Sequence, residues 1–149
     1  MSTSPSPINR SLSGIRIVCI LLGATVLAGC AGSKRMQPEG PPLSGTEITK
    51  LLVGNSAKGA VGAHPFTFYY KDDAKVSGVI GMAGDSDSGT WEIKNGDTYC
   101  HEWIDFFDGV QRCYQWHKSE DGYTLVNVDA YHLRPLIVNK IQQGNPLGF

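Results

Sequence analysis

Residues 90–116, TWEIKNGDTYCHEWIDFFDGVQRCYQW, decide the fold, because they carry a turn signal, two cysteines and all three of the chain's tryptophans in one span. Asn95-Gly96 between alternating large side chains is the strongest hairpin signal in the chain, and Asp108-Gly109 and Asp121-Gly122 mark the next two reversals. A two-residue type I′ turn would pair Lys94 with Asp97, and hence Ile93 with Thr98 and Trp91 with Cys100. Placing Cys100 opposite Cys113 sets Tyr99 against Tyr114 and Glu102 against Gln111. Together these registers put Trp91, Ile93, Cys100 and Cys113 on one face of the sheet. The other face collects Tyr99, His101, Trp103, Arg112, Tyr114 and Trp116, a candidate binding face for sugar, peptide or lipid.

Outward from that span the pattern stays that of short strands. Phe66, Phe68 and Tyr70 alternate with Thr67 and Tyr69, Val76–Ile80 is an apolar run, and Tyr123–Val128 follows at hairpin spacing. Ahead of them, Ser44 with Glu47 forms a capping box and Leu43 with Ile48 a hydrophobic staple. Ile48, Leu51 and Leu52 give a helical stripe that Gly54 stops. The expected fold is mainly β: an antiparallel meander forming a small half-barrel or barrel, with one short N-terminal helix. The domain is expected over 43–149, with a poorly defined C-terminal tail.

The N-terminal 29 residues read as a signal peptide. Arg10 and Arg16 precede an apolar run from Ile17 to Leu27, too short to span a bilayer, which needs about 20 apolar residues. Leu27-Ala28-Gly29-Cys30 resembles the lipobox of bacterial lipoproteins, which implies a mature chain that begins at a lipidated Cys30. Residues 30–42 then form the lipidated cysteine and a Pro/Gly-rich tether able to stretch about 40 Å at ~3.3 Å per residue. Ala31 and Gly32 after the cysteine, with no aspartate, favour the outer membrane over the inner one.

Loss of Arg10 and Arg16 from 13 basic residues leaves 11 against 14 acidic ones. No basic stripe remains to neutralise phosphates, so nucleic acid is not an expected partner. Cys19 leaves with the signal and Cys30 carries lipid. Two thiols are then left in an oxidising envelope, and a Cys100–Cys113 disulfide is the expectation. The spacing is wrong for a C-x-x-C redox pair, and His101 and His117 have opposite parity relative to the cysteine pair and so point to opposite faces, which argues against zinc. No metal or cofactor is expected.

Gly84-Asp85-Ser86, with Asp129-Ala130-Tyr131-His132, resembles the first and last blocks of GDS-type esterases, whose serine is activated by the aspartate and histidine. The α/β sheet and oxyanion blocks of that family have no counterpart here, so GDSDSG reads as a solvated turn and no enzyme is expected. Asp85, Asp87 and Gly89 echo the start of a calcium loop, but Gly96 stands where its acidic twelfth position belongs. The helix, "GTWEI", the Asn-Gly turn and the paired cysteine strands resemble a domain-of-unknown-function family of small secreted proteobacterial proteins, over residues 43–128. That resemblance implies an envelope location and a β-rich fold. Membrane-bound lysozyme inhibitors are similar in architecture, which implies a related inhibitory role. The leading expectation is a non-catalytic, lipid-anchored envelope lipoprotein that binds another envelope protein or a glycan; a structural accessory in outer-membrane assembly or maintenance is the alternative, and a small esterase the third.

Overall fold

The computed structural model describes residues 38, 40–130 and 133–149. Helix α1 (Gly45–Leu52) is followed by eight strands: β1 (Asn55–Val61), β2 (His64–Tyr70), β3 (Lys75–Ile80), β4 (Asp85–Lys94), β5 (Thr98–Trp103), β6 (Arg112–Ser119), β7 (Gly122–Asn127) and β8 (Leu136–Gln143). Each strand pairs antiparallel with the next, and β8 returns to β1, so the meander is a closed barrel. Closure leaves no unpaired sheet edge, the hazard an open meander would carry. Two strands escape the sequence pattern. Asn55–Val61 has almost no large apolar residue, and Leu136–Gln143, expected only as a poorly defined tail, is the strand that completes the barrel.

The expected two faces are wrong by one residue at the first hairpin. Lys94 pairs with Thr98, Ile93 with Tyr99 and Trp91 with His101, so the loop is three residues, Asn95–Asp97. Asn95 and Gly96 do take positive φ, at 52° and 86°, and the Asp97 N–H donates to the Lys94 carbonyl at 3.3 Å. Asp97 is the extra residue, bonded to the Thr98 hydroxyl at 3.0 Å. The second register holds as expected, with Tyr99 against Tyr114 and Cys100 against Cys113. A one-residue shift exchanges the faces of a strand. Trp91 therefore leaves the cysteine face and joins Tyr99, His101, Trp103, Tyr114 and Trp116, all of them buried inside the barrel. The Cys100–Cys113 bridge, Cα–Cα 4.1 Å, lies on the outer side between β5 and β6.

The interior is made to fit by pairing aromatic rings with glycines across strands. Phe66 lies opposite Gly59, Phe68 opposite Gly78, and Trp103 opposite Gly89. A Cβ on Gly59 would meet the Ile137 carbonyl and the Phe66 ring; on Gly78 it would meet the Phe68 ring, and on Gly89 the Trp103 backbone. With that room made, Phe66 stacks on Phe68 at 4.3 Å between centroids and Phe68 lies 4.6 Å from Trp103. No space large enough for a water molecule is left between Phe68, Tyr99, His101 and Leu136.

Helix α1 closes one end. Its capping box is formed by Ser44 and Glu47, and Ile48 and Leu52 are fully buried. The chain on either side is bonded to strand ends: Leu43 N–H to the Trp116 carbonyl at 2.7 Å, Gly45 N–H to Gly96 at 2.6 Å, and Gly54 N–H to Tyr70 at 2.8 Å.

Because all three tryptophans are internal, Trp91→Ala, Trp103→Ala and Trp116→Ala should each cost ~3–5 kcal/mol in denaturant melts. A silent Trp91→Ala would mean that the two-residue turn is the correct one. Removing the disulfide by Cys100→Ala with Cys113→Ala should cost ~2–5 kcal/mol. Non-reducing mass spectrometry, before and after alkylation, reads the bridge directly.

Candidate functional site

The two ends of the barrel differ in chemistry. The helix end carries turns rich in charge, Lys71–Ala74, Asn95–Asp97 and Glu120–Asp121, and its mouth is filled by α1. The far end carries the turns at 62–63 and 81–84 and the longer loops 104–111 and 128–135. There Met82 is 94% exposed, Ile104 69% and Val110 47%, although all three are apolar.

At this far end the inward positions of β5, β6 and β7 turn polar. His101 faces Arg112 across β5 and β6, and Tyr114 faces Asn127 across β6 and β7. The Trp103 indole N–H donates to His101 Nδ1 at 3.2 Å, and the Tyr99 hydroxyl lies 3.2 Å from the same nitrogen. An indole nitrogen can only donate, so Nδ1 is an acceptor and the neutral ring carries its proton on Nε2. The Tyr99 hydroxyl lies 3.0 Å from that of Tyr70, which extends the chain of polar contacts along the axis. Burial holds the imidazole neutral, its pKa lowered to about 3, and the Arg112 charge acts in the same direction. Burial also pushes the Tyr70 and Tyr99 hydroxyls up, and that of Tyr114 up to about 12, with the Asn127 side chain and Arg112 opposing.

Loop 104–111 covers this mouth in an unusual conformation. Phe107 and Asp108 have φ of 56° and 63°, and Gly109 follows at 62°. Consecutive non-glycine residues in the left-handed region cost ~1–2 kcal/mol each, so the surroundings must hold them there. Phe106 lies 5.3 Å from Trp103 and Phe107 5.0 Å from His101, ring to ring. From below, the inward-facing Asp87 carboxylate accepts the N–H groups of Asp105 and Phe106, both at 2.9 Å. Partial burial would raise its pKa, but these and the Ser88 N–H hold the carboxyl below its usual range.

The candidate binding face named from the sequence is thus corrected. Tyr99, His101, Trp103, Tyr114 and Trp116 form no outer platform; they are the wall of a filled barrel, and Arg112 sits half-buried at its rim. Asn127, Asp87 and Phe107 belong to the same end and were missed, since an Asn at a strand end and a Phe-Phe-Asp-Gly turn carry no distinctive pattern alone. Outside the barrel, Lys94 bonds Gln111 at 2.6 Å and Glu92 at 3.1 Å, roofing the disulfide beside a polar groove of about 570 Å³.

Ser86 lies not in a turn but in β4, opposite Val79, among the outward positions. Asp129 spends its carboxylate on the Cys113 N–H at 3.0 Å. His132 and Cys30 lie outside the described residues. No family model matches the chain, and no curated protein or solved structure matches it either, so the functional reading rests on sequence motifs and geometry.

His101 makes stability depend on pH in a defined window. Unfolded, the ring titrates near ~6.5. Between that value and about 3 the unfolded chain binds a proton that the folded barrel refuses. Stability is therefore full above ~6.5 and falls as the pH is lowered, by up to ~1.4 kcal/mol per unit. Denaturant melts from pH 6.5 to 5, above the carboxylate range, should show this slope in the wild type and its loss in His101→Gln.

Proposed function

We propose that this chain is a lipid-anchored cell-envelope lipoprotein that binds another envelope protein through the barrel end opposite α1, without chemistry of its own. The observation that carries the reading is the contrast between the ends: charged turns around α1, among whose described residues Val53 alone is a large exposed apolar side chain, and exposed Met82, Ile104 and Val110 on the turns and loops of the far end. Large exposed side chains of this kind cost solubility and are characteristic of interaction surfaces when they cluster at one end. A filled interior argues against a lipocalin-like store for a bulky ligand.

The lipobox supports anchoring. Two or more acyl chains hold a protein stably, each buried CH₂ contributing about 0.8 kcal/mol, and Ala31-Gly32 favours the outer membrane. A disulfide under a roof of Lys94, Glu92 and Gln111 suits an oxidising compartment.

Two measurements test the proposal separately. Cys30→Ala should move the protein from the membrane to the soluble envelope fraction with its disulfide intact; unchanged membrane retention would remove the lipobox reading. A photo-crosslinking residue at Ile104 should trap a discrete envelope partner, while the same probe at Glu92 on the barrel wall should not. Equal crosslinking at both positions would remove the end-on reading.

A further inference from the structure

The far mouth of the barrel holds a surplus of hydrogen-bond donors. With Nδ1 of His101 committed to the Trp103 indole, its Nε2–H has no partner among the described residues, although the ring is buried. Asn127 Oδ1 accepts the Ala130 N–H, which fixes the other amide atom as the nitrogen. That Nδ2 is also buried and faces the Tyr114 hydroxyl across β6 and β7. Arg112 is the cross-strand partner of His101, its side chain 23% exposed, and its carboxylate neighbour is Asp108 at 3.9 Å, which is itself 90% exposed. The nearby acceptors are engaged: Asp87 with the 105 and 106 N–H groups, Asp129 with that of Cys113. Buried donors without acceptors are rare in folded proteins, and each calls for an explanation.

Over the His101 ring lies that of Phe107. Phe107 lies 5.0 Å from His101 on a turn of three successive left-handed residues, a conformation that a small backbone change would relax. Displaced, it would leave a ring-shaped slot beside the His101 Nε2–H, under the loop that carries the Arg112 neighbour Asp108.

We propose that this mouth binds a small aromatic carboxylate, whose ring replaces that of Phe107. Its carboxylate pairs with the Arg112 guanidinium and accepts from His101 Nε2. A carboxylate supplies the acceptor lone pairs and negative charge that the site lacks, and arginine is suited to hold it in a two-pronged geometry. Bound ligand would also move the 104–111 loop, and with it Ile104 and Val110, so the mouth would regulate the partner surface. The inference rests on that end being the working end of the molecule.

Benzoate is the probe, with benzamide as its uncharged counterpart, titrated into the purified chain and followed by the His101 ring nitrogens and the Trp103 indole signal in NMR. Benzoate should bind saturably, benzamide should not, and Phe107→Ala should bind more tightly because the slot is already open. Arg112→Gln should weaken benzoate by about tenfold or more while leaving the barrel folded. Equal binding of benzamide, or indifference to Arg112→Gln, would overturn the carboxylate site. So would the absence of saturable binding in both the wild type and a cooperatively melting Phe107→Ala. Ile104 crosslinking that persists after such a result leaves the partner surface standing and removes only this inference; loss of both removes the end-on reading as well.

Discussion

Trp91 and Tyr99 must both lie inside, and the length of the β4–β5 loop is set by that requirement. The bridge between Cys100 and Cys113 ties β5 to β6 in a register that already sends Tyr99, His101 and Trp103 one way. A two-residue turn would send Trp91 the other way and strand its ring on the surface. Burying such a ring is worth several kcal/mol, far more than the difference between turn types, so the hairpin accepts Asp97 as an extra residue. Once Trp91 is inside, its indole reaches the Asp72 carbonyl at 3.0 Å and its ring meets Tyr70 edge-on at 5.5 Å. The glycine–aromatic pairs around the wall then follow from volume alone.

Much of this was legible in the residues, and the illegible parts have a common cause. The capping box of α1 is a local motif, and it formed as the sequence implies. The Cys100–Cys113 pairing needed only parity and compartment. By contrast, β1 is written in small residues because Ala57 and Gly59 sit against Phe66 and Phe68, so its strand character lies in its neighbours rather than in its own composition. β8 has the same difficulty: Leu136, Ile137 and Val138 make an apolar run too short to interpret until β1 is available to pair with it. The hairpin register failed for a related reason, since Asn-Gly specifies a turn but long-range packing chose the loop length. The far mouth was hidden altogether, because Asn127, Asp87 and Phe107 come from different strands and loops and meet only in the closed barrel.

The same barrel holds two regimes of packing. Toward α1 the interior is tight, apolar and capped by Ile48 and Leu52. Toward the 104–111 loop His101 and Asn127 join the rings of Phe66 and Trp103, under a backbone turn held by the ring contacts of Phe106 and Phe107 and the carboxylate of Asp87.

Closure through β1 and β8 also governs how the chain can come into being. Antiparallel neighbours from β1 to β7 can zip together as they emerge in order, each contact lying close along the chain. The final seam joins Asn55 to Gln143 and Val61 to Leu136, the most distant partners in the sheet. Without the last strand, a sheet of the first seven would leave β1 and β7 as raw edges. Completion is therefore governed by the arrival of Leu136–Gln143, and a nascent chain paused short of that strand would be at its most vulnerable to aggregation and proteolysis.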